Sequence, residues 1–245
     1  MINAFAATPV GMTLVAWLCI DLETTAGRPE SAEEFMRQQW TPDARWTPET
    51  IGKRYLEALA KKREKLALLD SAGIAVVALN APAGRMILHA LREQPETVTD
   101  YALVRGFKDE RSMLVGLRQV LAAWCDEGTL LVGHNLKAFD LVRLRLAFLR
   151  ARLQLPPVLG VNQPHFDTMR EFCRSFSVER SEMVGLEEVL GKLGLPNHKG
   201  LVNGAQIGEL ISKGEIETVL RYAALDVMAE SEVFMRLTGG SVQLE

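Results

Sequence analysis

The chain has 245 residues, 48% of them hydrophobic and 24% charged, with a formal net charge of −3. This composition is typical of a globular protein with a sizeable core, and it argues against tight binding to duplex nucleic acid by charge alone. A nucleic-acid substrate is still compatible with the sequence, because bound metal ions would supply local positive charge.

The cysteines and the N-terminus bear on the cellular compartment. Cys19, Cys125 and Cys173 lie far apart and form no CxxC pair, which favours inert thiols in a reducing compartment. The apolar N-terminal segment lacks a basic region and a cleavage site, and no stretch is long enough to span a membrane. We therefore expect a soluble cytoplasmic protein that does not bind membranes.

The first part of the chain predicts a buried strand, an insertion and a helix. Residues 12–20 are apolar at successive positions, as in a central strand buried on both faces. Residues 26–48 are polar and contain prolines, which predicts an irregular insertion with a short helix. A longer helix is predicted to start near Thr47 or Thr50 and to end before Gly73.

Strands and helices alternate in the rest of the chain. Two strands are predicted around a turn at residues 80–84, and "YALVRGF" is a candidate for another. A helix capped by Asp109 is predicted to run to Gly128, followed by the strand "TLLVG" and a helix starting at Leu136. The remaining helices are predicted at 168–175, 185–193, 204–213 and about 215–237. This order predicts an α/β protein with a mixed sheet and helices on both faces.

Two acids follow the first strand. Asp21 and Glu23 are two residues apart, so in an extended strand their side chains point the same way. Two neighbouring anions beside a core raise a pKa or bind a cation. The alternative is that the strand ends at residue 20 and both acids are solvated in a loop; this pair alone favours the alternative.

A third acid lies on the helix predicted from Leu136. Asp140 falls on its apolar face, between Leu136 and Leu144, where an acid needs a partner. A salt bridge to Arg143, one turn further on, is one possibility.

The last helix carries the fourth acid. Asp226 flanks its apolar stripe, and Tyr222 lies one turn earlier on the same side. Glu230 also falls within the stripe, so either the helix leaves the core there or Glu230 is another acid near the site. Together the four carboxylates predict a cation site, and oxygen ligands suit Mg²⁺ or Mn²⁺ rather than zinc. Several carboxylates are also what a two-metal phosphoryl-transfer site needs.

Three segments resemble a known family of nucleases. "DLET" at 21–24, "GHNLKAFD" at 133–140 and "YAALD" at 222–226 resemble the three motifs of the DEDD 3′–5′ exonuclease superfamily. The third motif has the tyrosine (DEDDy) form, since Arg221 stands where the other form has histidine. The chain most resembles stand-alone predicted exonucleases related to the proofreading domain of family B DNA polymerases, over about residues 14–237.

The resemblance implies a ribonuclease H-like fold, with a mixed five-stranded sheet flanked by helices. It also implies a single exonuclease domain over residues 1–245, with a catalytic core at about 14–237 and an insertion at about 26–48. Two ions, Mg²⁺ or Mn²⁺, are implied as cofactors. The residues implied to be catalytic are Asp21, Glu23, Asp140, Tyr222 and Asp226, of which the four acids would be the metal ligands.

Each of these residues has an implied role. Asp21, Glu23 and Asp226 would hold the ion that carries the attacking water. Asp21 would bridge to the second ion, which Asp140 would support directly or through water. Tyr222 would orient the attacking water and is also a candidate to take its proton.

Five further residues are candidates for substrate binding: Leu22, Thr24, Thr25, Asn135 and Phe139. Leu22 either packs on the terminal base or belongs to the core. Thr25 either touches substrate or only closes a turn. The resemblance implies that the Asn135 amide lies near substrate or backbone and that the Phe139 ring lies in the core, while His134 is expected to be structural.

The function expected from this resemblance is that of a phosphodiester hydrolase. The enzyme would be a metal-dependent 3′–5′ exonuclease that binds single-stranded DNA and releases nucleoside 5′-monophosphates. The same reaction on RNA is the first alternative. An inactive exonuclease fold that binds nucleic acid or protein is the second, and a ribonuclease H-type endonuclease is disfavoured by the tyrosine motif.

Overall fold

The computed structural model describes residues 15–25, 36–37, 40–69, 73–82, 85–176, 184–197 and 204–239. The chain divides into two compact units, one comprising residues up to Glu23 and from Ile74 onward, the other Thr24–Gly73. The prediction of one domain with an insertion at 26–48 stays a prediction, since residues 26–35 and 38–39 lie outside the described part.

A mixed sheet runs through the fold, and seven of its strands lie in the described residues. Its strands follow the order β4-β5-β3-β2-β1-β6-β7. The pairs β2–β3 and β4–β5 are antiparallel, whereas β3–β5, β1–β6 and β6–β7 are parallel. The bounds are β1 Trp17–Thr24, β2 Ile74–Ala81, β3 Arg85–Leu91, β4 Glu96–Val98, β5 Leu103–Phe107, β6 Leu130–Gly133 and β7 His165–Asp167. The α/β prediction is confirmed, but the described residues contribute seven strands to the sheet, where five were predicted.

Strand β1 is central and buried, as predicted, but its bounds differ: it begins at Trp17 and is longer at its C-terminal end, while residues 12–14 lie outside the described part. Leu18, Cys19 and Ile20 are fully buried, and the strand continues through both acids to Thr24. The alternative in which the strand ends at residue 20 and the acids are solvated in a loop is therefore wrong.

The helices have the order expected from the sequence. Their bounds are α1 Pro48–Leu69, α2 Glu110–Trp124, α3 Asp140–Arg150, α4 Thr168–Ser175, α5 Leu186–Leu193, α6 Ile207–Ser212 and α7 Ile216–Leu237, with short 3₁₀ turns at Pro157–Leu159 and Gly204–Gln206. Asp109 caps α2, as predicted, by accepting the Ser112 N–H at 2.7 Å. This helix ends at Trp124, before Gly128, because Cys125 is extended. Among the described residues, no helix has the length and apolar character of a membrane span.

Helices cover both faces of the sheet, and β1 contributes alternate residues to each face. Leu18 and Ile20 belong to the apolar cluster that contains the buried side chains of α2 and α3. Trp17 and Cys19 belong to the cluster formed with α7, where the rings of Trp17 and Phe234 lie 5.5 Å apart. Asp21 and Glu23 continue this second series, so the strand directs both acids towards the face that α7 covers.

The start of α3 corrects the sequence prediction. Helix α3 begins at Asp140 instead of Leu136, and residues 134–139 form a turn. Asp167 holds this turn by accepting the backbone N–H groups of Asn135 and Lys137, each at 3.1 Å. Asn135 has a φ of 58°, a left-handed conformation that helices exclude. Leu136 is nevertheless buried, as the apolar pattern predicted.

The unit Thr24–Gly73 contains α1. This helix starts as predicted, with the Thr50 N–H donating to the Thr47 hydroxyl at 3.3 Å. Two hydrogen bonds join Thr25 to Gly73, near the two ends of this segment. The Thr25 N–H donates to the Gly73 carbonyl, and the Gly73 N–H donates to the Thr25 hydroxyl, both at 2.9 Å.

Candidate metal centre

Three carboxylates converge at the end of β1. One oxygen atom from each of Asp21, Glu23 and Asp226 lies within 4.8 Å of the other two. Glu23 and Asp226 are each only 7% exposed, so water screens their charges poorly. Three acids at this separation repel one another unless a cation or a proton lies among them. The all-oxygen donor set fits a hard divalent cation.

Asp140 extends this group of acids. Its side chain is 2% exposed, and its Oδ1 has no hydrogen-bond partner in the described part of the chain. Burial raises the pKa of Asp140 well above its usual range, and the negative charge of Asp21 raises it further. The two carboxylates are therefore near enough for the charge of Asp21 to act on Asp140. The buried oxygen without a partner also fits a site for a cation.

The positive charge of Arg143 acts to lower the pKa of Asp140, but burial and the charge of Asp21 outweigh it. The Arg143 guanidinium lies over the Phe139 ring, 3.6 Å from the ring centre, and its Nη1 donates to the Phe139 carbonyl at 3.4 Å. Asp140 and Arg143 form no ion pair in the described residues, so the salt bridge considered from sequence is wrong. Phe139 is half-buried under Arg143, which also corrects the expectation that its ring lies in the core.

Tyr222 lies beside the three carboxylates. It is 7% exposed and hydrogen-bonds to Asp226, one helical turn further along α7. Burial raises the pKa of the Tyr222 phenol far above its ordinary value, and the charges of Asp226 and Glu23 raise it further. The phenol therefore keeps its proton at neutral pH.

The structure decides between the two possibilities considered for Glu230. Its side chain is 3% exposed, so α7 stays in the core at this position and Glu230 is a further acid near the site. It accepts the Cys19 thiol at 3.3 Å and the His134 backbone N–H at 3.1 Å. Burial raises the pKa of Glu230, as do the charges of Asp21 and other acids of the site.

His134 has a structural role, as expected. Its Nδ1 lies 3.0 Å from the Thr168 hydroxyl, and its Nε2 lies 2.8 Å from the Val184 carbonyl. Both ring nitrogens are therefore engaged within the protein, at the start of the turn that leads to Asp140.

The residues predicted to bind substrate occupy several environments. Leu22 is 3% exposed and belongs to the apolar cluster below α2 and α3. Thr24 ends β1, and Thr25 pairs with Gly73 through its backbone and its hydroxyl. The side-chain oxygen of Asn135 is buried without a partner among the described residues. Contact of any of these residues with substrate stays a prediction.

Sequence reasoning missed Asp167. This aspartate is 2% exposed, accepts two N–H groups of the turn at 134–139, and also accepts the Arg170 N–H at the start of α4. An aspartate immediately before a predicted helix is a recognised N-cap signal, and that signal was available at residue 167.

No protein-family model matches the chain, and a search of curated proteins found no significantly similar sequence. The chemistry of the site is therefore inferred from its own side chains.

Proposed function

We propose that this protein is a metal-dependent 3′–5′ exonuclease that hydrolyses single-stranded DNA and releases nucleoside 5′-monophosphates. One observation carries the proposal: the oxygens of Asp21, Glu23 and Asp226 converge within 4.8 Å, as the tyrosine-type DEDD resemblance leads us to expect. The first and third motifs of the resemblance lie far apart in the sequence, and the convergence of their acids supports the resemblance independently of the sequence pattern.

The fold is compatible with this proposal. Strands β3, β2, β1, β6 and β7 form a continuous mixed sheet flanked by helices, and β5 and β4 extend it at one edge. A ribonuclease H-like core of five strands, within the larger sheet, is therefore part of the proposal.

The donor set suits two Mg²⁺ or Mn²⁺ ions. Asp21, Glu23 and Asp226 would hold one ion, and Asp21 and Asp140 the other. When bound, such ions activate a water molecule and stabilise the leaving oxygen in phosphoryl transfer. The bound ions would supply the positive charge that both the acids and the phosphates of the substrate require. A protein with a net charge of −3 could therefore bind a polyanionic substrate at this site.

Tyr222 would act as a positioned hydroxyl. Since burial keeps the phenol protonated, it is a poor general base; it donates its one proton to Asp226, and its oxygen would accept a hydrogen bond from the attacking water. Its hydrogen bond to Asp226 fixes the hydroxyl at the edge of the carboxylate group. We therefore assign it the task of orienting the attacking water, and not of removing its proton.

The proposal is tested with 5′-end-labelled DNA and RNA of matched sequence, incubated with Mn²⁺ and resolved by length. The expected result is stepwise shortening of the DNA, absent in Asp226→Asn and retained in Asp100→Asn. Asp100 is an exposed acid, so it is the matched control for the same chemical change. Faster shortening of the RNA would reassign the substrate, and an inactive wild-type protein would contradict the proposal.

A further inference from the structure

Glu230 links the three parts of the fold that carry the acids of the site: α7, β1 and the turn before α3. It lies on α7, one turn after Asp226. One of its oxygens, Oε2, accepts the thiol of Cys19, two residues before Asp21 on β1. The other, Oε1, accepts the backbone N–H of His134, at the start of the turn that ends at Asp140.

These contacts account for both oxygens of the Glu230 carboxylate. The side chain is 3% exposed, so its hydrogen bonds are made without competition from bulk water. Its hydrogen-bond partners are a thiol and a backbone N–H, and it does not belong to the group of three carboxylates whose oxygens converge within 4.8 Å. Both oxygens of the carboxylate are therefore engaged by groups of the protein itself.

We propose that Glu230 is a positioning residue that aligns α7, β1 and the turn at 134–139, and thereby sets the relative positions of Asp226, Asp21 and Asp140. This inference rests on the proposed function for its catalytic consequence. Its structural content is independent of that function, because it concerns hydrogen bonds within the protein.

Glu230 can align these elements because its side chain extends from α7 to the backbone of the turn at 134–139. Asp167 holds the same turn through the N–H groups of Asn135 and Lys137, but none of its described hydrogen bonds reaches α7 or β1. Only the bond from Glu230 to the His134 N–H joins the backbone of this turn to α7 among the described hydrogen bonds. Losing that acceptor frees the turn from α7 and leaves a buried N–H without a partner.

Two substitutions separate the reach of the side chain from the carboxyl group itself. Glu230→Gln keeps an oxygen at the same distance from the His134 N–H and replaces the carboxyl group with an uncharged amide. Glu230→Asp keeps the carboxyl group and withdraws it by one methylene. If Glu230 positions the site through its hydrogen bond, Gln is close to wild type and Asp is impaired; a metal ligand would show the reverse order.

The experiment measures Mn²⁺ affinity by calorimetry, turnover of labelled DNA, and hydrogen exchange of the His134 amide by NMR. We expect Glu230→Gln to stay within about threefold of wild type in affinity and turnover, and Glu230→Asp to lose about 10- to 100-fold in one or both, as outer-shell changes do. Exchange at His134 should stay slow in Gln and become faster in Asp. Cys19→Ala, which removes the other contact of the carboxylate, should retain slow exchange at His134.

Each outcome decides the proposal. A Gln variant impaired as strongly as Asp, or an Asp variant with wild-type affinity and exchange, overturns it. If Glu230→Asp does not fold, the Gln variant alone decides, since loss of Mn²⁺ binding or of protection at His134 in that variant contradicts the proposal. An inactive wild-type protein would refute the exonuclease proposal and leave the exchange comparison able to test Glu230.

Discussion

Removing the hydroxyl of Tyr222, as in Tyr222→Phe, should slow DNA hydrolysis without disturbing the fold. The ring is 7% exposed and packs with the cluster beneath α7, and Tyr222→Phe preserves that packing. What the substitution removes is the hydrogen bond to Asp226 and the polar group beside the carboxylates. Binding of metal and substrate should therefore change little, whereas turnover should fall.

The expected loss follows from the type of bond. A hydrogen bond to a charged group contributes about 1.5–3 kcal/mol. If a contact of this strength between the Tyr222 hydroxyl and the attacking water forms only in the transition state, its removal lowers turnover about 10- to 150-fold, since about 1.4 kcal/mol corresponds to a factor of ten. A catalytic proton acceptor would contribute about 10²–10⁴-fold. Because the phenol of Tyr222 keeps its proton, we expect a result in the lower range.

The assay is single-turnover degradation of a short DNA strand in Mn²⁺, with substrate affinity measured separately in Ca²⁺. Tyr101→Phe is the matched control, since Tyr101 is a half-buried tyrosine in the same unit whose charged neighbours are Glu217, Asp100 and Arg221. Wild-type turnover in Tyr222→Phe would refute the reasoning and make Tyr222 a core residue only. A loss confined to affinity would assign it to substrate binding.

Three other perturbations give distinct results. Asp21→Asn should abolish activity and hold or raise the unfolding temperature, because it removes a ligand and relieves repulsion among the acids; near wild-type degradation would contradict the metal assignment. Mn²⁺ at about 100 times its Kd should stabilise the wild-type protein by about 2.7 kcal/mol, or about 5–11 °C in thermal unfolding, and should stabilise Asp226→Ala less. An equal rise in both would place the ion elsewhere. In EDTA, the free energy of unfolding should fall between pH 6.5 and 8 in urea titrations. Burial raises the folded-state pKa of Asp140 and Glu230 above their ordinary values of 3.8 and 4.5, so the folded state gives up its bound protons later than the unfolded state. His89 acts in the opposite direction, since burial lowers its pKa to about 4, but only below its ordinary value of 6.5. A flat or rising profile above pH 6.5 would contradict the account.

Local pattern was sufficient to predict the strand and helices that carry the acids. The alternation of β1 predicted that Asp21 and Glu23 share a face, and helical spacing predicted Asp226 and Tyr222 on one side of α7. These are relations between residues a few positions apart, which the period of the backbone determines.

Features created by distant partners could not be predicted in the same way. Helix α3 starts late because Asp167 accepts N–H groups of a turn some 30 residues earlier, at Asn135 and Lys137. The position of Glu230 in the apolar stripe indicated burial without indicating what it meets, since His134 lies 96 residues away in the sequence.

Two strands were missed because of their length. Strands β4 and β7 have three residues each, too few to show an alternating pattern. Strand β4 also lies at the edge of the sheet, where residues are exposed and hydrophobic periodicity is weak. Pairing with β5 and β6, respectively, makes them part of the sheet.

The most direct test of the central claim follows the terminal nucleotide of a single-stranded DNA labelled at its 3′ end, with Mn²⁺ present. The account predicts that the wild-type protein releases the label as a nucleoside 5′-monophosphate in the first product formed, and that Asp226→Asn releases none. Label found first in longer 3′-terminal fragments, or released equally by the variant, would contradict it.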